Sequence, residues 1–206
     1  MKKSLLFSLI IFSCATVNAE PISLEYAGFY QRLKQVNKGN YQLVEVAFSV
    51  SKANGCKLKD GTITTEKESY PLTFTADQRI FLPYDAQLKS DRALINLNVE
   101  GDAKSCAIAM QVRSKNTKLA YERSELLQIE TEMDQLLSMM QGFPMRYFSS
   151  EIAGLNLEFG TETVMTLNGK KIPVSGTYRL SREVIKNLDS IEFSQPPKVI
   201  SPWTAK

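Results

Sequence analysis

The stretch Asn116–Gly142, NTKLAYERSELLQIETEMDQLLSMMQG, decides how the rest of the chain is read. Leu119, Leu126, Met133 and Met140 recur every seven residues, and Ile129 and Leu136 fill the intermediate positions. This is the apolar stripe of an amphipathic α-helix. Gly142 can take the left-handed backbone that closes a helix, and Pro144 cannot continue one. A strict heptad seam would pair with a second copy as a coiled coil. Here Glu122 breaks the seam, while Leu127, Leu137 and Met139 widen the apolar face. The spacing therefore predicts a helix packed on sheets of its own chain, and a monomer rather than a helix-mediated homodimer.

Working upstream, Ser23 can cap a helix over Leu24–Asn37, closed by Lys38-Gly39-Asn40. From Tyr41 the period changes to two, with Val44, Val46, Phe48 and Val50 on one strand face. Asn54-Gly55 and Asp60-Gly61 read as turns. Short strands are expected over 56–65, 70–75 and 79–83, with a turn at Ala76-Asp77 and a helical turn within Tyr84–Asp91. Ala93, Ile95, Leu97 and Val99 share a face. Past a turn at Gly101-Asp102, Cys106, Ile108, Met110 and Val112 share the next inward face.

Downstream, Met145–Phe148 and Ile152–Phe159 are expected strands. Thr163–Leu167 and Lys171–Val174 form a hairpin around Asn168-Gly169. A strand over Thr177–Leu180, a helix over Arg182–Leu188 capped by Ser181, and a strand over Ile191–Phe193 follow. The proline-containing end, Gln195–Trp203, is extended and cannot supply a central strand. The predicted class is α+β. A disulfide-closed, antiparallel β-sandwich-like part with an N-terminal helix covers 20–115, the long helix covers 116–142, and a smaller antiparallel sheet with a short helix covers 143–206.

Lys2 and Lys3, the apolar run Leu5–Phe12 and the sequence Val17-Asn18-Ala19 follow the order of a secretory signal peptide, 1–19, with cleavage before Glu20. The apolar run is far shorter than the roughly 20 residues a bilayer span needs. Cys14 could instead be lipidated, making an envelope lipoprotein, but bulky Phe12 sits where a small residue is usual. Loss of Lys2 and Lys3 lowers the formal charge of +3 toward neutral, which argues against nucleic-acid binding. Cys56 and Cys106 then remain, and two cysteines in an oxidising compartment are expected to form a disulfide. The chain has no histidine, which removes Ser-His-Asp and Cys-His catalysis and ordinary zinc sites.

Several phrases carry a resemblance: Tyr30-Gln31-Arg32-Leu33, Asn37-Lys38-Gly39-Asn40-Tyr41, Thr75-Ala76-Asp77-Gln78-Arg79, Leu88-Lys89-Ser90-Asp91-Arg92, Cys106-Ala107-Ile108-Ala109-Met110 and Ser201-Pro202-Trp203. Together they resemble a family of small secreted proteins of Gram-negative bacteria classed as a domain of unknown function. The resemblance spans the mature chain and implies a periplasmic location. It implies no active-site residue.

Three constellations could carry chemistry. Ser49-Val50-Ser51-Lys52 matches S-x-x-K, whose lysine serves as base one helical turn after the nucleophile. It lies at a strand end, where residues three apart are expected on opposite faces, and no K-T-G accompanies it. Asp77, Asp85, Asp91 and Asp102 all fall in turns and could gather as acid–base groups or oxygen ligands for calcium. Turns also select Asp for local backbone bonds, which is the preferred reading. Met133, Met139 and Met140, with Met145 beyond the helix stop, could offer soft ligands to Cu(I) or line an apolar groove. Methionine is equally a filler of irregular core gaps, which is preferred here. No cofactor is expected. The expectation is a non-catalytic binding or assembly module for an unknown protein or small apolar ligand; the alternatives are a carboxylate- or metal-dependent hydrolase and a structural lipoprotein.

Overall fold

Residues 22–141 and 151–204 are described by the computed structural model. The expected signal segment, Cys14, Met145 and the expected strand Met145–Phe148 lie outside them. The chain begins with β1 (Ile22–Glu25) and α1 (Tyr26–Gly39). The helix starts later than its spacing suggests because Ile22–Glu25 pair antiparallel with Leu94–Leu97. Ser23 is thereby no cap: its hydroxyl donates to Asn96 Oδ1 at 2.8 Å. Asn40, at φ 48°, takes the left-handed turn that ends α1.

Next come β2 (Val44–Val50), β3 (Lys57–Thr64), β4 (Ser69–Pro71), β5 (Thr73–Phe74), β6 (Arg79–Phe81), α2 (Ala86–Ser90), β7 (Leu94–Glu100) and β8 (Ile108–Ser114). They build two four-stranded antiparallel sheets, ordered β1-β7-β3-β4 and β5-β6-β2-β8, and the chain passes from one to the other between Pro71 and Thr73. Alternation decides the faces: Val44, Val46, Phe48 and Val50 of one sheet and Ile95, Leu97 and Val99 of the other are buried in one core. Cys56 precedes β3 and Cys106 precedes β8, so their disulfide, with Cα atoms 5.6 Å apart, ties sheet to sheet. A second tie is polar. Gln78, 5 % exposed, donates to Val50 O and Cys56 O at 3.3 and 3.1 Å and accepts from the Leu58 N–H.

Two expectations change here. Asp60-Gly61 is no turn but lies inside β3, just after a bulge. Gly61 is needed because a Cβ there would come within 2.9 Å of Asn96 O and of Leu72 Cδ2. On β8 the inward face is buried only from Val112 onward. Cys106 and Ile108 are half-buried, and Met110 is 45 % exposed. β8 is the outermost strand of its sheet.

The long helix is shorter than its stripe. Ala120–Glu122 form β9, and α3 runs Arg123–Gln141. Tyr121 causes this: it is buried, its hydroxyl accepts the Lys118 N–H at 2.8 Å, and the preceding Leu119 carbonyl accepts from Phe193 N at 2.7 Å. Leu119, counted into the stripe, is instead 55 % exposed. Within α3, Leu126, Ile129, Met133 and Leu136 are fully buried, each contributing about 1.5–3 kcal/mol.

The remainder comprises β10 (Gly154–Glu158), β11 (Thr163–Leu167), β12 (Lys170–Val174), β13 (Thr177–Ser181), α4 (Arg182–Asn187), β14 (Ser190–Phe193) and β15 (Val199–Trp203). Two small antiparallel sheets result, β13-β10-β15 and β12-β11-β14-β9, where one was expected. The Asn168-Gly169 hairpin has φ 47° and 78°, as its turn residues require. Ser181 caps α4 through its hydroxyl, which accepts Val184 N at 3.2 Å. β15, carrying Pro202, is an edge strand.

Candidate functional site

The alternation that sends Val44, Val46, Phe48 and Val50 inward turns Glu45, Ala47 and Ser49 to the other face of β2. Register brings them polar neighbours: Arg113 stands opposite Glu45, Gln111 opposite Ala47, and Arg79 opposite Ser49. Ala47, Ser49, Gln111, Arg79 and Arg113 floor a groove of about 400 Å³, with Glu45 beneath the two arginines rather than in its lining. Its walls are Ser51 and Lys52 beyond β2, Thr75 and Asp77 in the turn between β5 and β6, and Lys198 and Val199 where the chain enters β15.

The charges form two triads, each of two cations sharing one carboxylate. Arg79 Nη2 lies 2.7 Å from Glu45 Oε2, and Arg113 Nε lies 3.6 Å from Glu45 Oε1. Lys52 Nζ and Lys198 Nζ lie 3.0 and 2.9 Å from the same oxygen, Asp77 Oδ1. Glu45 Oε1 and Arg79 Nε are buried, and neither has a hydrogen-bond partner among the described residues. The Arg79 guanidinium also sits over the Phe81 ring, 4.7 Å from its centroid. Burial, followed by the neighbouring Arg79 charge, holds the Arg113 guanidinium below its usual pKa, against the pull of Glu45, Glu158 and Asp77. Hydrogen bonds from Lys198 and then Lys52 hold the Asp77 carboxyl below the usual range.

Such a groove is fitted to bind an anion by charge-assisted hydrogen bonds. It also collects the S-x-x-K residues. Ser49 and Lys52 line the same groove rather than opposite faces, because β2 ends at Val50 and the chain then turns. No hydrogen bond joins them: Lys52 is tied to Asp77, and Ser51 Oγ accepts from Ala53 N at 3.2 Å.

The four aspartates do not converge. Asp77 lies in the groove, whereas Asp85 caps α2 by accepting from Gln87 N and Leu88 N. Asp91 accepts from Gln87 Nε2, and Asp102 from Lys104 N and Ser105 Oγ. Asp85 and Asp91 border two further, separate pockets, the first an apolar one of about 390 Å³ with Tyr70 and Phe81. Among the described residues no three His, Cys, Asp or Glu side chains gather in a manner suited to a metal. Met133 is completely buried, and Met139 and Met140 are half-buried against the same core.

Glu45, Arg79, Arg113 and Lys198 were not singled out from the sequence. Alternation already placed Glu45 and Ser49 opposite the valine face, and Arg113 beside Val112. Nothing local announced Lys198, which reaches Asp77 across 121 positions of sequence.

No curated protein and no solved structure matches the chain. The family match covers the groove floor and the Asp77 turn but ends before Lys198. Residues 18–159 match the model of a family described as protein of unknown function (DUF2987), and the chain belongs to that family.

Proposed function

We propose that the protein is an exported, non-catalytic binding module that holds its ligand in the groove over the outer face of the β5-β6-β2-β8 sheet. The observation that carries the reading is the set of four cations, Lys52, Arg79, Arg113 and Lys198, that line one concavity while sharing only two carboxylates, Asp77 and Glu45. Cations in excess of their carboxylate partners at the wall of a concavity support a bound anionic group. Export is supported by the signal-like order of residues 1–19 and by the Cys56–Cys106 disulfide, which belongs to oxidising compartments. The periplasm is the compartment this reading assigns.

The test is native mass spectrometry of the chain purified from the exported fraction of its own host. The protein should begin at Glu20 and carry a non-covalent adduct. Ala47→Trp, which fills the groove floor, should lose the adduct while keeping its circular dichroism and melting temperature. An unprocessed chain overturns export, and a chain beginning at an acylated Cys14 makes it a lipoprotein. An adduct-free wild type, or an adduct that survives Ala47→Trp, overturns the groove as the ligand site.

A further inference from the structure

Resting on that reading of the groove, we propose that its ligand is a multivalent oxyanion, a small molecule or chain end carrying two or more carboxylate or phosphate groups held between the two triads. Each triad sets two cations against one carboxylate, so each has one positive charge in excess. Glu158 lies within electrostatic reach of Arg113 and offsets part of this. The cations of both triads border one cavity, and a single monovalent anion answers only one pair of them.

Arg113 is the specific element. Its side chain is 19 % exposed, it donates from Nε to Ser114 O at 3.5 Å, and its terminal nitrogens have no hydrogen-bond partner among the described residues. A guanidinium with both terminal nitrogens available is a planar fork that matches a carboxylate or phosphate in bidentate fashion. Arg79 beside it takes Glu45 Oε2 at 2.7 Å, while Arg113 Nε has only a 3.6 Å contact with Oε1. An incoming oxyanion would separate the two positive charges and supply the missing acceptor. Lys52 and Lys198 are about half-exposed point charges on the opposite triad, suited to a second anionic group that arrives with some of its water. Between them, Ser49 and Gln111 line the groove with a hydroxyl and an amide, which favours a polar connecting portion over an apolar one.

The experiment is calorimetric titration of the oxidised mature chain at low salt with pyrophosphate, citrate and acetate as probes. The first two present several phosphate or carboxylate oxygens, and the third presents a single carboxylate. Saturable binding is expected for pyrophosphate or citrate, at least tenfold tighter than for acetate, and the tighter of the two identifies the oxyanion. Arg113→Gln and Lys198→Gln should each weaken it at least tenfold, with the second variant covering the case in which the first unfolds. Lys170→Gln, an exposed charge on the β12 hairpin, should leave it unchanged. Added sodium chloride should weaken it steeply. Absence of saturable binding to both multivalent probes, or equal affinity in Lys198→Gln and wild type, would overturn the proposal. If that happens while the native-mass adduct still depends on Ala47, the groove remains a binding site and only its ligand class is wrong.

Discussion

Glu132, in the middle of α3, accepts the backbone N–H of Leu43 at 2.8 Å, just ahead of the first strand of the sheet that carries the groove. A helix turns about 100° per residue, so Glu132 flanks the Ile129–Met133 stripe on one side, and Glu130 and Asp134 flank it on the other. The two flanks hold different parts of the chain. Glu130 meets Arg182 of α4 at 2.8 Å, and Asp134 accepts from Ile152 N at 2.9 Å, ahead of β10. The polar borders of the apolar stripe are therefore what join the two β-rich parts to one helix.

Glu132→Ala should destabilise the chain by about 1–3 kcal/mol, because it leaves the Leu43 N–H without its acceptor in a half-buried place. Glu132→Gln, which keeps a carbonyl oxygen at the same reach, should cost less than half as much. Urea unfolding of the two variants measures the difference. Equal losses would mean that the carboxylate acts through charge rather than as the acceptor for Leu43.

Gln78 should be the most sensitive polar position in the sandwich. Gln78→Ala removes one acceptor and two donor bonds at once and strands Val50 O, Cys56 O and Leu58 N between the sheets. At roughly 1 kcal/mol or more for each stranded group, the expected loss is about 3 kcal/mol. Gln78 has φ 65°, so Gln78→Gly separates the backbone contribution from the side-chain bonds. It relieves the left-handed strain and should recover part of the loss relative to Ala. Equal stability of the two variants would place the whole effect in the side chain.

These residues also show what could be read in advance. Strands with one buried face announce themselves through alternation, and the β2 and β7 patterns did so because Val44, Val46 and Val50, and Ile95, Leu97 and Val99, fill the core. Ser181 and Asn168-Gly169 are legible because caps and tight turns are local chemistry. The start of α3 was misread because Leu119 fits the heptad, and only the long-range pairing of Tyr121 with Ile191 shows that the segment is a strand. Nothing in the sequence sets Gln78 apart, since its partners are 20 to 28 positions away. The groove was half legible: its floor follows from strand parity, and its Lys198 wall comes from a distant part of the chain.

The Cys56–Cys106 bond closes a loop of 50 residues and crosses from one sheet to the other. On the chain-entropy account a loop of that length is worth about 4 kcal/mol. Cys56→Ser with Cys106→Ser should lower the urea midpoint accordingly, and a reductant should do the same to wild type and nothing to the double variant. Unchanged stability in the double variant would show that Gln78 and the shared core hold the sheets without the covalent tie.

Stability should also fall at high pH through Tyr121. Burial raises its phenol from the usual 10.0 to about 12, against the smaller opposing effect of the Lys118 N–H that its oxygen accepts. Because the folded-state value lies above the unfolded one, the contribution of the neutral phenol is complete below pH 10 and is lost as the pH climbs through about 12. A displacement of that size corresponds to about 2–3 kcal/mol. Burial raises Tyr26 and Tyr41 as well, so the loss is steeper than one group alone would give. Urea unfolding followed from about pH 9 upward should show stability declining above pH 10. Tyr121→Phe, which keeps the ring in contact with Phe193 and loses only the hydroxyl, should start about 1 kcal/mol lower and decline less steeply. Identical slopes in the two proteins would mean that Tyr121 does not titrate on unfolding, and that the β9 pairing which displaces the start of α3 does not depend on a neutral buried phenol.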